Sequence, residues 1–208
     1  MASVRRVSRG WYIAFEGPEG CGKSTQAAAL ASTLEAVLTR ETGGTAIGAR
    51  IREILHDVET TGLAARAEAL LTAADRAQHL TEVVEPALAA GRHVVSDRSV
   101  YSALAYQGYG RELDVDEVRR LNDWAIAGRW PDLVVLLDAA PEVLAARIAD
   151  RELDRFEREQ DAFHARVAAG FRAMAAADPA HWVTLDAAGA ADDVTAAVRA
   201  AVQERIGR

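Results

Sequence analysis

Cysteine is nearly absent from this sequence, since Cys21 is its one thiol. A single cysteine excludes an intrachain disulfide framework and fits a protein that works in a reducing compartment. Uninterrupted apolar runs are also short, and none reaches the roughly 20 residues that a membrane-spanning helix needs. We therefore expect a cytoplasmic protein that makes no use of a membrane.

Basic residues are scarcer than acidic ones, with 24 Lys and Arg against 31 Asp and Glu and a net charge of −7. This balance argues against a nucleic-acid polymer as partner, because proteins that bind one usually carry a basic excess. A small phosphorylated substrate needs only a few local arginines. Residues 1–10 carry arginines but no apolar segment follows them, so we expect a loose tail and not a secretory signal.

Strand and helix patterns alternate along the chain without a long linker, which predicts an α/β fold with a parallel sheet flanked by helices. The predicted strands are 11–15, 37–39, 93–96, 133–137 and 182–185. The predicted helices are 22–34, 47–56, 64–79, 82–90, 116–127, 141–149, 158–177 and 191–206. Glu16, Asp97 and Asp138 directly follow three of these strands. Because ligands bind at the carboxyl ends of such strands, these acids are candidates for chemistry.

A glycine loop between the first predicted strand and the first predicted helix is the most specific motif. It reads Gly-x-x-x-x-Gly-Lys-Ser, the pattern of a loop whose backbone amides surround a phosphate. Lys23 is expected on the β- and γ-phosphates of ATP, and the Ser24 hydroxyl on Mg²⁺. Cys21 is interpreted as a small residue that fits the loop. The predicted ATP-binding residues are Gly17, Pro18, Glu19, Gly20, Cys21, Gly22, Lys23, Ser24 and Thr25.

Two further segments carry arginines where an anion is expected. Arg40 ends the second predicted strand beside the Gly43-Gly44 turn, where it is either an anion clamp or part of an ordinary polar loop. Asp97 and Arg98 close the third strand. There Asp97 can hold the Mg²⁺ shell or orient an attacking oxygen, and Arg98 can neutralise phosphate charge. The alternative is an aspartate helix cap with solvated neighbours.

Residues 147–159 hold four arginines interleaved with acids. A solvated charged helix is the usual meaning of such a run. After a phosphate loop, the pattern favours an arginine-bearing lid that closes over the transferred phosphoryl group. Arg151 and Arg155 lie four residues apart, so on a helix they would share one face.

Together these motifs resemble the thymidylate (dTMP) kinases, a family of P-loop nucleoside-monophosphate kinases. The matching segments are 15–25, 39–41 with 43–45, 75–76, 97–98, 105–108 with 110–111, 131–133, 137–138 and 152–155. The resemblance implies a three-layer P-loop NTPase fold with a five-stranded parallel sheet, in a single kinase domain over residues 1–208. It also implies transfer of phosphate from ATP to dTMP with Mg²⁺, and a homodimer.

The resemblance also implies roles for individual residues. Glu19 is similar to the acid that contacts the acceptor's 3′-hydroxyl, and Arg40 with Arg98 to the clamp on the acceptor phosphate. Tyr106 resembles an aromatic that crowds out a ribose 2′-hydroxyl. The implied catalytic residues are Lys23, Asp97, Arg98, Arg151 and Arg155, with Ser24 and Asp97 as metal ligands. The implied acceptor-binding residues are Glu19, Arg40, Thr72, Arg76, Arg98, Ser102, Tyr106 and Gln107.

Some positions depart from the family pattern. Thr72 stands where many members have a phenylalanine that stacks on thymine, so a related deoxynucleotide kinase with another base preference is an alternative. Asp97-Arg98-Ser99 also copies a motif of deoxynucleoside kinases, which accept a neutral hydroxyl. Gly20 occupies a loop position that carries a catalytic arginine in some members, which implies an arginine supplied from the lid. A GTPase is disfavoured because the Asn-Lys-x-Asp guanine motif is missing.

Overall fold

The structure, a computed structural model, describes residues 9–149 and 152–207. Its centre is a sheet of five parallel strands in the order β2-β3-β1-β4-β5. The strands are β1 Tyr12–Glu16, β2 Val37–Arg40, β3 Val94–Asp97, β4 Leu133–Asp138 and β5 Trp182–Asp186. Each predicted strand is confirmed to within one residue at either end. The register sets Phe15 beside Asp97 and Arg40 beside the same Asp97, so the motifs of three strands meet at one edge of the sheet.

Helices cover both faces of this sheet. They are α1 Lys23–Leu34, α2 Ala46–His56, α3 Ala65–His79, α4 Glu85–Ala89, α5 Val100–Ala103, α6 Val115–Ala125, α7 Pro141–Ile148, α8 Asp161–Ala177 and α9 Ala191–Ile206, with π-helical turns at Leu80–Val84 and Leu104–Gly110. β1 and most of β4 are buried, as expected for central strands packed on both faces. None of the helices that the structure describes combines the length and apolar character needed to span a bilayer.

Three sequence predictions need correction. The segment 100–110 forms α5 and a π-helical turn, although no helix was predicted there. Its repeated Tyr, Gly and Ser weaken helix propensity, and burial in the core outweighs that preference. The helix predicted from residue 158 begins at Asp161, after a stretch of turns.

The loose tail is the third correction, because Arg9 and Gly10 are fixed in place. Arg9 donates to Asp132, and Gly10 is buried against the Arg92 carbonyl oxygen, which a Cβ would approach to 1.8 Å. The other residues of the predicted tail, 1–8, lie outside the described part of the chain.

Candidate active site

The side chain of Lys23 is bound by backbone carbonyl oxygens of the glycine loop. Lys23 Nζ donates to the carbonyl oxygens of Gly17 at 3.1 Å and Pro18 at 2.7 Å, and its side chain is buried. Gly17 has φ of +141°, and a Cβ there would lie 2.2 Å from the Leu137 carbonyl oxygen. Because α1 starts at Lys23, its unpaired amides lie at this loop, where an anion is favoured.

Ser24 and Asp97 meet at the mouth of the loop. The Ser24 hydroxyl donates to Asp97 Oδ2, although the two residues belong to different βα units. The pairing of β1 with β3 brings Asp97 to this position. The structure therefore brings together the two residues that sequence predicted as Mg²⁺ ligands. Within the described part of the chain, no group of three His, Cys, Asp or Glu is arranged to hold a metal by itself.

Two cavities open beside the loop. The outer cavity is lined by Glu19, Gly20, Gly22, Lys23, Ser24, Thr25, Arg40, Glu41, Arg52, His56, Asp97, Arg98, Arg147, Ile148, Glu152, Asp154 and Glu157. The inner cavity is lined by Glu19, Glu41, Thr42, Arg52, Leu55, His56, Thr72, Arg76, Arg98, Ser102, Ala103, Tyr106, Gln107 and Phe156. The second set includes most of the predicted acceptor-binding residues. Five residues belong to both sets and mark the border between the cavities: Glu19, Glu41, Arg52, His56 and Arg98.

Glu19, Arg98 and Tyr106 form a hydrogen-bonded group at this border. Arg98 donates to Glu19 and to the Tyr106 hydroxyl at 2.9 Å, and the Tyr106 hydroxyl donates to Glu19 Oε1 at 3.0 Å. Burial acts to raise the pKa of Glu19, but the charges of Arg98 and Lys23 outweigh it and hold that pKa well below its usual range. Glu19 is therefore a carboxylate at neutral pH, ready to accept a hydrogen bond from a hydroxyl.

Three arginines line the outer cavity, and we call Arg40, Arg52 and Arg98 the arginine cluster. Arg52 lines both cavities and donates to the Thr42 carbonyl oxygen at 3.2 Å. Burial lowers the pKa of Arg52, and the charges of Arg40 and Arg98 lower it further. Asp154 and Glu19 act in the opposite direction but leave the pKa of Arg52 below its ordinary value, so a bound anion is favoured beside these like charges. Arg52 was not among the predicted site residues, although it follows the Gly43-Gly44 turn on the next helix.

Glu16 supports the group of Glu19, Arg98 and Tyr106 and does not line either cavity. It is fully buried and accepts hydrogen bonds from the backbone amides and hydroxyls of Ser99 and Ser102. Burial raises the pKa of Glu16. Asp138, the other acid singled out at a strand end, pairs with Arg172 at 2.7 Å. Of the three strand-end acids, Asp97 is thus the one that lines the outer cavity.

Arg76 reaches the inner cavity from α3 and is fixed on three sides. Its Nε donates to Glu41 Oε2 at 2.7 Å, Nη2 to the Ser99 carbonyl oxygen at 3.1 Å, and Nη1 to Asn122. Glu41 also lies 2.7 Å from His79 Nδ1. Burial acts to raise the pKa of Glu41, but Arg76 and His79 lower it overall. The guanidinium therefore has a fixed position in the cavity wall.

The predicted residues Thr72, Ser102, Tyr106 and Gln107 all line the inner cavity. Thr72 donates its hydroxyl to the Ala69 carbonyl oxygen at 2.9 Å. The inner cavity is also lined by Phe156, which was not among the predicted site residues. It is the one phenylalanine within the charged segment 147–159, and that isolation was the available signal.

The lid segment, residues 147–159, differs from its prediction. Residues 152–160 form turns and irregular backbone, so Arg155 does not lie on a helix, and Arg151 lies outside the described residues. Arg155 lines neither cavity and donates to Glu68 Oε2 at 2.7 Å and the Leu55 carbonyl oxygen at 2.6 Å. Arg147 does line the outer cavity, and it donates to the Ala188 carbonyl oxygen at 3.1 Å.

The fold and the site define a class. A glycine loop ending in Lys23 and Ser24 lies between the central strand and the first helix of a parallel sheet, beside an aspartate at the end of the neighbouring strand. This is the P-loop NTPase fold, with the phosphate site of a phosphotransferase. A family model for thymidylate kinase matches residues 15–198, and the chain belongs to that family.

Individual relatives agree with this family. The chain is 48% identical to a thymidylate kinase of Solidesulfovibrio magneticus, over 90% of this chain and 96% of the relative. It is 46% identical to a thymidylate kinase of Leifsonia xyli, over 98% of this chain and all of the relative. The crystal structure of thymidylate kinase from Ehrlichia chaffeensis superposes with a TM-score of 0.77 at 29% identity, covering 94% of this chain and 99% of that chain. The predictions of family and fold are confirmed.

Proposed function

We propose that this protein transfers the γ-phosphoryl group of ATP to dTMP, giving dTDP and ADP. Family membership supports the reaction, and one feature of the site carries it. The glycine loop with Lys23 and the arginine cluster form two anion-binding positions that share the outer cavity. A kinase that acts on a monophosphate needs both positions, one for the donor and one for the acceptor phosphate.

The donor half rests on Lys23, Ser24 and Asp97. Lys23 is placed to neutralise charge on the transferred phosphate, and Mg²⁺ fits the oxygen donors of Ser24 and Asp97. Mg²⁺ is usually bound through one or two carboxylates together with substrate phosphates and water, so a site with few protein ligands suits it. When bound, the ion supplies charge neutralisation on the transferred phosphoryl group. The loop residues from Gly17 to Thr25 surround the donor's phosphates.

The acceptor half rests on the border between the cavities. Arg40, Arg52 and Arg98 hold the acceptor phosphate, and the carboxylate of Glu19 accepts the 3′-hydroxyl. Tyr106, fixed by Arg98 and Glu19, excludes a ribose 2′-hydroxyl by its bulk.

The rest of the inner cavity surrounds the acceptor's base. The residues assigned to it are Thr72, Arg76, Ser102 and Gln107. The deoxynucleoside kinase alternative requires a neutral hydroxyl where the arginine cluster lies, and so leaves that cluster without a ligand.

The arginines of the lid segment are assigned two different roles. Arg155 is bound to Glu68 in the conformation described, and we assign it a positioning role. Arg151 lies outside the described residues and stays the sequence-based candidate for charge compensation at the transferred phosphate. Arg147, which lines the outer cavity, is a second candidate for the same role.

The working protein is proposed to be a cytoplasmic homodimer with one kinase domain in each chain. Ile54 on α2, Leu70 on α3 and Trp124 on α6 are large apolar side chains that remain exposed, Trp124 to 82%. These helices pack side by side, so a second copy of this chain fits the surface they share. Sedimentation equilibrium of the purified protein and of Trp124→Ser tests the dimer, with dissociation expected in the variant.

A coupled assay of ADP release over a panel of acceptors tests the reaction. The panel contains dTMP, the other deoxynucleoside monophosphates, the ribonucleoside monophosphates and thymidine. We expect dTMP to give the highest kcat/KM and thymidine to give no ADP above background. Faster turnover with thymidine would replace the proposal with the deoxynucleoside kinase alternative, and a different preferred base would correct the acceptor.

A further inference from the structure

We infer that Phe156 of the lid segment supplies the aromatic contact to the base of the acceptor, and that Arg155 and Glu68 hold it there. The inference rests on the proposed function, since it concerns the same acceptor. It makes docking of the lid segment on α2 and α3 part of acceptor recognition.

Among the described residues that line the inner cavity, Tyr106 and Phe156 are the two with a phenyl ring. The Tyr106 hydroxyl is engaged by Arg98 and Glu19, on the side of the cavity that faces the glycine loop. Its ring is also packed edge-on by Phe156, with ring centroids 5.7 Å apart at 90°, and by Phe163 at 6.0 Å. Thr72 contributes no ring. Because Tyr106 is assigned to the sugar, Phe156 is the ring that we assign to the base.

The position of Phe156 is set by the residues around it in the lid segment. Arg155 is anchored by Glu68 and by the Leu55 carbonyl oxygen, and its Cζ lies 4.5 Å from the centroid of the Phe156 ring. This distance is in the range of a cation–π contact. On its other side, Asp154 Oδ2 lies 2.7 Å from His56 Nδ1, and the His56 ring packs edge-on against Phe156 at 5.3 Å.

Glu68 connects the lid segment to the opposite wall of the cavity. It is fully buried and accepts from Gln107 Nε2 at 2.9 Å, Arg111 Nη2 at 3.1 Å and Arg155 Nη2 at 2.7 Å. Burial acts to raise its pKa, but these donors lower it, so Glu68 is ionised at neutral pH. A single carboxylate thus holds both Gln107, which lines the inner cavity, and the arginine next to Phe156. Glu68 and Arg155 are positioning residues in this scheme.

Direct binding measurements separate a contact to the base from a general disturbance of the site. Calorimetry is carried out with dTMP and with 1,2-dideoxyribose 5-phosphate, which has the sugar and phosphate of the acceptor without its base. Variants are Phe156→Leu, Phe156→Ala and the matched control Phe163→Leu. Phe163 is also buried and also packs edge-on against Tyr106, but it does not line the inner cavity.

Phe156→Ala is expected to weaken dTMP binding about tenfold or more, from lost apolar area and aromatic contact. Phe156→Leu, which keeps most of the area, is expected to weaken it a few-fold. Binding of the baseless phosphate should stay the same in both variants, and Phe163→Leu should change neither ligand. Equal losses for both ligands, or no loss for dTMP, would overturn the inference and leave the proposed function intact. Failure of the unchanged protein to bind dTMP would overturn both.

A double-mutant cycle tests whether Arg155 acts through Phe156. Arg155→Gln alone should weaken dTMP binding and spare the baseless phosphate. In the Phe156→Leu background, Arg155→Gln should weaken dTMP binding much less than it does in the parent protein, because the ring that Arg155 positions is absent. Additive losses would show that Arg155 contributes independently of Phe156 and would overturn its assignment as a positioning residue.

Discussion

Arg52 offers the sharpest single test of the acceptor site, because its role comes from the structure and not from a motif. It lines both cavities on α2 and lies close enough to Arg40 and Arg98 for their charges to lower its pKa. In Arg52→Met the apolar part of the side chain is kept and the charge is removed. Binding of the acceptor phosphate should weaken while binding of ATP is unchanged.

The expected size follows from the interaction that is lost. A hydrogen bond to a charged group contributes about 1.5–3 kcal/mol, and about 1.4 kcal/mol corresponds to a factor of ten. Because Arg40 and Arg98 remain, we expect the lower end of this range, a rise of roughly tenfold in KM for dTMP. Removing one of three like charges also relieves repulsion in the free protein, which offsets the loss of the hydrogen bond to the Thr42 carbonyl oxygen. The midpoint of thermal unfolding without ligand should therefore stay the same or rise.

The assay compares KM for dTMP, KM for ATP and thermal unfolding for Arg52→Met and for Arg50→Met. Arg50 lies on the same helix and is exposed, so it controls for loss of charge on α2. Arg50→Met should leave all three quantities unchanged. Equal rises in the two KM values, or an unchanged KM for dTMP, would refute the assignment of Arg52 to an anion site.

Three other predictions concern single residues. Lys23→Ala should abolish phosphoryl transfer with an unchanged circular dichroism spectrum, and near-normal turnover would contradict the donor site. Tyr106→Ala should narrow the ratio of kcat/KM for deoxy over ribo acceptors more than Tyr106→Phe, which keeps the ring; a full preference in Tyr106→Ala would show that another residue guards the sugar. Glu41 has a folded pKa below its ordinary value of 4.5, so its contribution to stability is present above that value and is lost as the pH falls through the folded pKa. Denaturant titrations should therefore show that Glu41→Gln lowers the free energy of unfolding most near neutral pH, and that the difference from the parent protein shrinks in acid. A difference that does not change with pH would contradict this.

The glycine loop and the five strands could be predicted because their signals are local. A short apolar run, a Gly-rich turn and a lysine at fixed spacing specify the loop whatever surrounds it. The carboxyl ends of the strands were right to within a residue because each strand ends at a charged residue, which is Glu16, Arg40, Asp97, Asp138 or Asp186. Asp97 and Ser24, expected to share a metal, are brought together by the pairing of β1 with β3. The alternation of strands and helices predicted a parallel sheet but not this strand order.

The site features that could not be predicted depend on contacts between residues far apart in the chain. In the sequence Arg155 is one of several arginines in a charged segment. Its partner in the structure, Glu68, lies 87 residues away on α3. Phe156 and Arg52 enter the site because turns and helix packing bring them there, and no short motif encodes that. The helix predicted from residue 158 starts later, at Asp161. In the segment before it, Asp154 accepts hydrogen bonds from the amides of Phe156 and Glu157, which gives the backbone an alternative to a helix.

The central claim is that the γ-phosphoryl group of ATP moves to a deoxynucleoside monophosphate, and identification of the products tests it most directly. Phosphorus NMR of the protein with ATP, Mg²⁺ and dTMP should show the resonances of dTDP and ADP growing together, with none above background for Lys23→Ala. Growth of ADP with inorganic phosphate and no dTDP would mean hydrolysis without transfer, and would contradict the account.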